Sequence, residues 1–389
     1  MMPSTPLIDI ASAESLATSL TQQFVKVDTV NPPGNESALA RLIGALLVEA
    51  GLQTTFHTLA DGRESLVAWT GSPNEGPKLC FTGHLDTVPF GSAPWSLSPL
   101  SGEIQGDRLY GRGSSDMKAG IAAFIAALLW HRATNGQHAA VILVLTAGEE
   151  TGCEGAKALR TLTQPAFNVG AMVVGEPTAN EVVIGHKGAL WIRAQAHGVT
   201  AHGAMPERGD NAIYHVVDAI HRLRLFNFHA PEDELLGHPT LNVGTIAGGL
   251  NVNSVPDHAL FEVDVRTVCG MAHDKLLDEL GAYLGDRVAL RAKLDVPALR
   301  QEMSSPWIAH VSRMVSQITG SQNGGRAVSF FTDGPVLREI FGAVPTVILG
   351  PGEPSMAHKT DEYCNVSSII TAVNIYARII EAWESKREQ

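Results

Sequence analysis

Four short runs of nearly uninterrupted apolar residues most limit what this chain can build. They are Leu79-Cys80-Phe81-Thr82-Gly83, Val141-Ile142-Leu143-Val144-Leu145-Thr146, Ala171-Met172-Val173-Val174-Gly175 and Val344-Pro345-Thr346-Val347-Ile348-Leu349. A strand turns successive side chains to opposite faces, so a run without polar alternation must be covered on both sides. Helical patterns fall between and after these runs, over 117–132, 153–162, 306–318 and 365–385. Buried strands alternating with helices predict an α/β fold, a mostly parallel sheet with helices on both faces. Residues 14–25 and 36–51 read as amphipathic helices separated by the turn Asn31-Pro32-Pro33-Gly34.

At 389 residues the chain exceeds one ordinary core, and two domains are expected. The stretch 188–296 has a different texture: alternating strands such as Leu190–Ala196 and Leu260–Val265, with helices near 210–224 and 273–285. It reads as an α+β domain inserted into the first, leaving 1–187 and 297–389 as the two parts of a catalytic domain. A net charge of −12 disfavours nucleic acid as a partner. Cysteines 80, 153, 269 and 364 form no C-x-x-C pair, so reduced thiols in the cytoplasm are expected rather than a disulfide framework. The first twenty residues lack the basic and apolar segments of a secretory signal, and Ile121–Trp130 is too short to span a bilayer. No membrane partner is expected.

Sites in open α/β sheets collect at the carboxyl ends of strands. His84 and Asp86 follow the first run, Glu149 and Glu150 the second, and Glu176 the third. In His84-Leu85-Asp86, residues two apart project to one side of an extended chain, so Asp86 could orient the His84 ring. Asp116 stands in Gly111-Arg112-Gly113-Ser114-Ser115-Asp116, before a helix, where it is either a simple N-cap or a carboxylate held for cations. It occupies the place of the third Gly of G-x-G-x-x-G, which disfavours a dinucleotide. Glu149-Glu150 is either a solvated pair or two acids with separate tasks. Glu176 lies in a Pro-stiffened turn, and His358 in a Gly/Pro loop ahead of the last helix. Together His84, Asp116, Glu150, Glu176 and His358 offer two imidazoles and three carboxylates. That is a ligand set for two divalent cations sharing one carboxylate, and cations about 3.5–4 Å apart support hydrolysis. Zinc is expected, with cobalt or manganese also suited to these donors.

The segments Gly83-His84-Leu85-Asp86-Thr87-Val88-Pro89, Gly111–Gly120, Thr146–Gly152, Gly175–Thr178 and Ala357-His358-Lys359 occur in an order that resembles the M20 metallopeptidases. That group includes acetylornithine deacetylase, succinyl-diaminopimelate desuccinylase and glutamate carboxypeptidase. The resemblance spans essentially the whole chain and implies a zinc-exopeptidase-like fold whose inserted domain serves as lid and dimer contact. It assigns His84 and Glu176 to one metal, Glu150 and His358 to the other, and Asp116 to both. Glu149 matches the general base, Asp86 the residue that backs the ligand His84, and a cis peptide is implied after Asp116. His202, in Gly198–Gly203, matches the group that stabilises the oxyanion. Asn253 and Arg266 match substrate contacts, with the Arg either binding a carboxylate through its planar fork or held in a salt bridge on its own strand.

Thr332, Asp333 and Gly334 sit where desuccinylases carry a substrate-binding run, but Phe330, Phe331 and Pro335 depart from it and disfavour a succinyl group. The resemblance implies a homodimeric amidohydrolase that cleaves an N-acyl amino acid. A dipeptidase or carboxypeptidase acting on a short peptide is the near alternative, and a non-catalytic metal-binding protein the distant one. Neither G-x-S-x-G nor H-E-x-x-H is present, so serine hydrolase chemistry has little support.

Overall fold

A computed structural model of the chain describes residues 9–73, 76–135, 140–161, 167–321 and 324–385. The start of the secretory-signal reading and residue 162 of the expected helix 153–162 lie outside them. Two compact units emerge: Met1–Ile184 with Gln301–Arg326 and Thr332–Gln389, and Gly185–Arg300 with Ala327–Phe331. The piece 327–331, placed in the catalytic domain by sequence, clusters with the second unit.

The main strands of the sheet are β1 (Gln53–Ala60), β2 (Arg63–Trp69), β3 (Lys78–His84), β4 (Val141–Thr146), β5 (Val169–Val174), β6 (Val183–His186, of which Gly185 and His186 cluster with the second unit) and β7 (Thr346–Ile348). Their order across the sheet is β1-β2-β4-β3-β5-β7-β6. The centre β4-β3-β5-β7 is parallel. The hairpin β1-β2 and strand β6 flank it antiparallel, which the sequence reading did not anticipate. No long apolar run marks the outer strand β1, because its residues are only partly covered. Every residue of β3 and β4 is buried, as two covered faces require.

Three helices anchor this sheet: Ile10–Val25, Ala119–Asn135 and Val366–Ser385, which pack on one another. Phe81 of β3, Phe124 and Tyr376 join them, with ring centroids 4.3 Å apart for Phe81–Phe124 and 4.1 Å for Phe124–Tyr376. The buried Tyr376 hydroxyl donates to the Leu349 carbonyl at 2.6 Å, so burying that phenol leaves no lost hydrogen bond.

The second unit has a four-stranded antiparallel sheet in the order Thr240–Gly248, His258–Thr267, Gly188–His197, Ala289–Val296. Burial alternates along His258–Thr267, so one face meets helices Ala212–Leu223 and His273–Leu284 while the other is more open. Among the described residues no helix is long and apolar enough to cross a membrane.

Candidate metal centre

The parallel strands deliver the candidate ligands to one end of the sheet. His84 is the last residue of β3. Glu149 and Glu150 follow β4, Glu176 follows β5, and His358 lies on the loop after β7. Asp116 arrives from a tight turn before helix Ala119–Asn135, where Gly113 has φ 84° and the Asp116–Met117 peptide is cis. Gly120 lets that helix start against the Glu176 segment, since a Cβ there would meet the Gly175 carbonyl at 2.2 Å. His358 itself has φ 62°, an uncommon backbone for a residue with a side chain, so the loop sets its aim.

Asp116 stands between two imidazoles. Its Oδ1 lies 3.0 Å from His84 Nε2, and its Oδ2 lies 3.3 Å from His358 Nε2. Glu176 Oε2 is 3.7 Å from His84 Nε2 on one side, while Glu150 Oε2 is 3.1 Å from His358 Nε2 on the other. His84 and Glu176 are buried, whereas the His358 side chain is 54% exposed and forms the open side of the cluster. Two overlapping sets, His84-Glu149-Glu176 and His84-Asp116-Glu150, are compact enough to hold a metal ion.

Electrostatics fits cations better than the bare side chains. Burial opposes charge on Asp116, yet the His358 and His84 imidazoles outweigh it and hold its pKa below the ordinary range. Burial pushes Glu176 up to about 8. Glu149 is driven well above the carboxylate range, first by burial and then by Glu176 and Glu150, with His84 opposing. Hydrogen bonds to Asp116 and Glu150 lift His358 to about 10. The Glu149 Oε1 atom is buried without a hydrogen-bond partner. Several acids crowded this closely, one of them with an orphaned oxygen, call for positive charge.

Asp86 departs from its expected role. The Nδ1 of His84 donates to the Asp86 backbone carbonyl at 2.9 Å, and the carboxylate stays 3.7 Å away. That bond places the ring proton on Nδ1 and leaves Nε2 free to ligate. The carboxylate instead accepts the N–H groups of Glu149 at 3.1 Å and Glu150 at 3.2 Å, and Asn31 Nδ2 at 2.9 Å. Sequence reasoning missed Asn31, whose only visible signal was its place in a turn.

The expected substrate contacts divide. Thr332 and Asp333 are buried in the first unit. Thr332 Oγ1 accepts the Gly334 N–H within the turn, and Asp333 Oδ2 accepts from the Thr146 hydroxyl at the end of β4, while Asp333 Oδ1 is buried with no hydrogen-bond partner among the described residues. In the second unit, Arg266 pairs with Asp264 at 2.9 Å, which occupies the fork expected to hold a carboxylate. His202 and Asn253 are exposed and adjacent, since Gly203 N–H donates to the Asn253 carbonyl at 2.8 Å. The Ala204 N–H donates to His202 Nδ1 at 3.0 Å, which leaves Nε2 to carry the ring proton outward.

Comparison with known proteins bears on the family and the fold. The chain is 31% identical over 358 residues to an acetylornithine deacetylase of Edwardsiella ictaluri, covering 88% of this chain and 90% of that protein. Its fold matches a Staphylococcus aureus tripeptidase with a TM-score of 0.74, at 23% identity over 95% of this chain and 98% of that one. It also matches an M20 family metallo-carboxypeptidase of Sulfolobus solfataricus with a TM-score of 0.75, at 16% identity over 94% of this chain and 98% of that one. The sequence profile of peptidase family M20/M25/M40 matches residues 80–382, and on that match the chain belongs to this family.

Proposed function

We propose that this protein is a dinuclear metal-dependent amidohydrolase that cleaves the amide bond of an N-acyl amino acid. The observation that carries the reading is Asp116 turning one oxygen to each of two histidines, 3.0 Å and 3.3 Å away, together with the buried Glu149 Oε1, which has no hydrogen-bond partner among the described residues. In this reading His84 and Glu176 hold one cation, Glu150 and His358 the other, and Asp116 both. The cations are zinc, with cobalt or manganese as alternatives for one imidazole and carboxylates per ion. When bound, such a pair polarises the substrate carbonyl and lowers the pKa of water to about 7.

The remaining steps fall to side chains. Glu149 takes a proton from the attacking water and delivers it to the leaving nitrogen. Its Oε1 is buried with no hydrogen-bond partner among the described residues, so it is open to accept that proton. Asp86 fixes the turn that aims Glu149. By the family resemblance His202 is the donor assigned to the oxygen that gains charge as the carbonyl is attacked, and the Ala204 N–H on Nδ1 leaves its Nε2 to donate.

A second copy of the chain is the proposed partner, met through the inserted unit. Among the described residues, strand Thr240–Gly248 ends its sheet with an unpaired backbone edge, an arrangement that invites pairing with another strand. Ile246 is 56% exposed on that strand, and Tyr214 is 68% exposed on helix Ala212–Leu223.

The activity test is a metal-supplemented screen of acetylated, formylated and succinylated amino acids beside dipeptides. Release of an amino acid from an N-acyl substrate, abolished by a chelator, supports the reading. Turnover of dipeptides alone would move it to a peptidase, and no turnover at all would overturn it.

A further inference from the structure

We infer that Glu362 is a positioning residue for the proposed metal pair, fixing the loop that presents Asp116 to the segment that presents His358. The inference rests on Asp116 being the shared ligand. Glu362 is fully buried and follows His358 on the same stretch of chain. Its Oε1 accepts the backbone N–H groups of Ser115 at 2.8 Å and of Asp116 at 3.1 Å. Its Oε2 accepts the Gly113 N–H at 3.1 Å and Arg112 Nη1 at 2.7 Å. The Glu362 carbonyl also accepts the Gly111 N–H at 2.8 Å. A single residue therefore closes the turn before Asp116 from both its backbone and its side chain.

The pattern is selective for a carboxylate. All four side-chain partners are donors, and only the ionised acid meets them with two oxygens and no donor of its own. Burial pushes the Glu362 carboxyl up to about 7, while Arg112 and the backbone N–H groups of Gly113 and Asp116 favour the charged form. A glutamine would point its NH2 at one pair of donors and push the turn away. Asp116 has less than an ångström of tolerance before one of its oxygens loses its side of the pair. Glu362 thus governs whether one carboxylate can serve two cations, without itself being placed among their ligands.

The test compares the wild type with Asp116→Asn, Glu362→Gln and Glu362→Asp, each stripped of metal. Cobalt affinity is measured by competition with a chromophoric chelator, together with the visible spectrum of bound cobalt, kcat, KM and metal-free unfolding. Glu362→Gln is expected to bind cobalt about 10–100-fold more weakly, the range seen when groups behind a ligand are altered. A changed cobalt spectrum and a lower kcat at unchanged KM are expected with it. Wild-type affinity and spectrum in Glu362→Gln overturn the inference even if its metal-free melting temperature falls, because that pattern belongs to a purely structural ion pair with Arg112. Should Glu362→Gln not fold, Glu362→Asp decides by the same measurements, since its carboxylate is one methylene too short to reach every donor. If Asp116→Asn keeps wild-type cobalt affinity, the underlying reading of Asp116 fails. If Asp116→Asn loses it and Glu362→Gln does not, only the role of Glu362 fails.

Discussion

The Oδ1 of Asp86 accepts the backbone N–H of Glu149 at 3.1 Å. A carboxylate beside a candidate ligand histidine thus acts on the proposed base through the main chain. Its other oxygen holds Glu150 in the same way, so one side chain sets the turn in which adjacent acids diverge. The His84 ring is left to the Asp86 backbone carbonyl.

Asp86→Asn is expected to damage both stability and rate. The amide NH2 must face either a backbone N–H or Asn31 Nδ2, leaving buried donors opposed. Such a mismatch costs about 1–3 kcal/mol, read as a drop in unfolding free energy with metal bound. A variant as stable and as fast as the wild type would remove this role for Asp86.

Glu149→Gln keeps size and removes the proton-carrying function. Turnover is expected to fall by about 10²–10⁴, with metal content per chain unchanged. Elemental analysis beside kcat separates this from loss of a ligand. Full activity would show that another group carries the proton.

His202→Ala tests the exposed imidazole of the inserted unit. Losing one donor to a developing oxyanion typically lowers kcat by about 10²–10³. The fold should be unaffected, because the side chain is exposed. An unchanged kcat would place His202 outside the chemistry.

The metal-free protein should lose stability as pH rises. Glu176 goes from 4.5 to about 8 in the fold, and His358 from 6.5 to about 10. A group that binds its proton more tightly when folded favours folding in its protonated form. Its contribution is complete below the unfolded pKa and vanishes as pH passes the folded one. The window therefore runs from 4.5 to about 8 for Glu176 and from 6.5 to about 10 for His358. Cations require deprotonated ligands, so the gap between metal-loaded and metal-free melting temperatures should widen over the same range. A gap that is flat with pH would contradict this.

Sequence carried the centre of the fold and much less of its edges. The runs at 141–146 and 306–318 mark elements at Val141–Thr146 and Pro306–Thr319, because complete burial and a clean helical period leave strong patterns. Strand β1, the edge strand Thr240–Gly248 and helix Gly334–Phe341 were not read, since partial exposure mixes polar and apolar residues, and β2 was not read because the polar Arg63-Glu64-Ser65 opens a strand that is otherwise buried. Strand ends pointed to His84, Glu150 and Glu176, whereas Asp116 and His358 stand in a turn and a loop, and the assignment of all five to a metal pair drew on the family resemblance. What stood beyond reach was support made by backbone groups. Glu362 holds Asp116 across a separation of 246 residues, through amides that every residue possesses. The salt bridge that takes up Arg266 was foreseeable only as one alternative, because Asp264 lies two residues away on the same strand face.

Metal stoichiometry of the reconstituted protein tests the central claim most directly. Metal-free protein titrated with zinc or cobalt should take up two ions per chain, and hydrolysis of an N-acyl amino acid should rise with them. Asp116→Asn should lose tight binding of both, because one carboxylate faces both histidines. Uptake of a single ion that survives Asp116→Asn, or activity undiminished after complete chelation, would contradict the account.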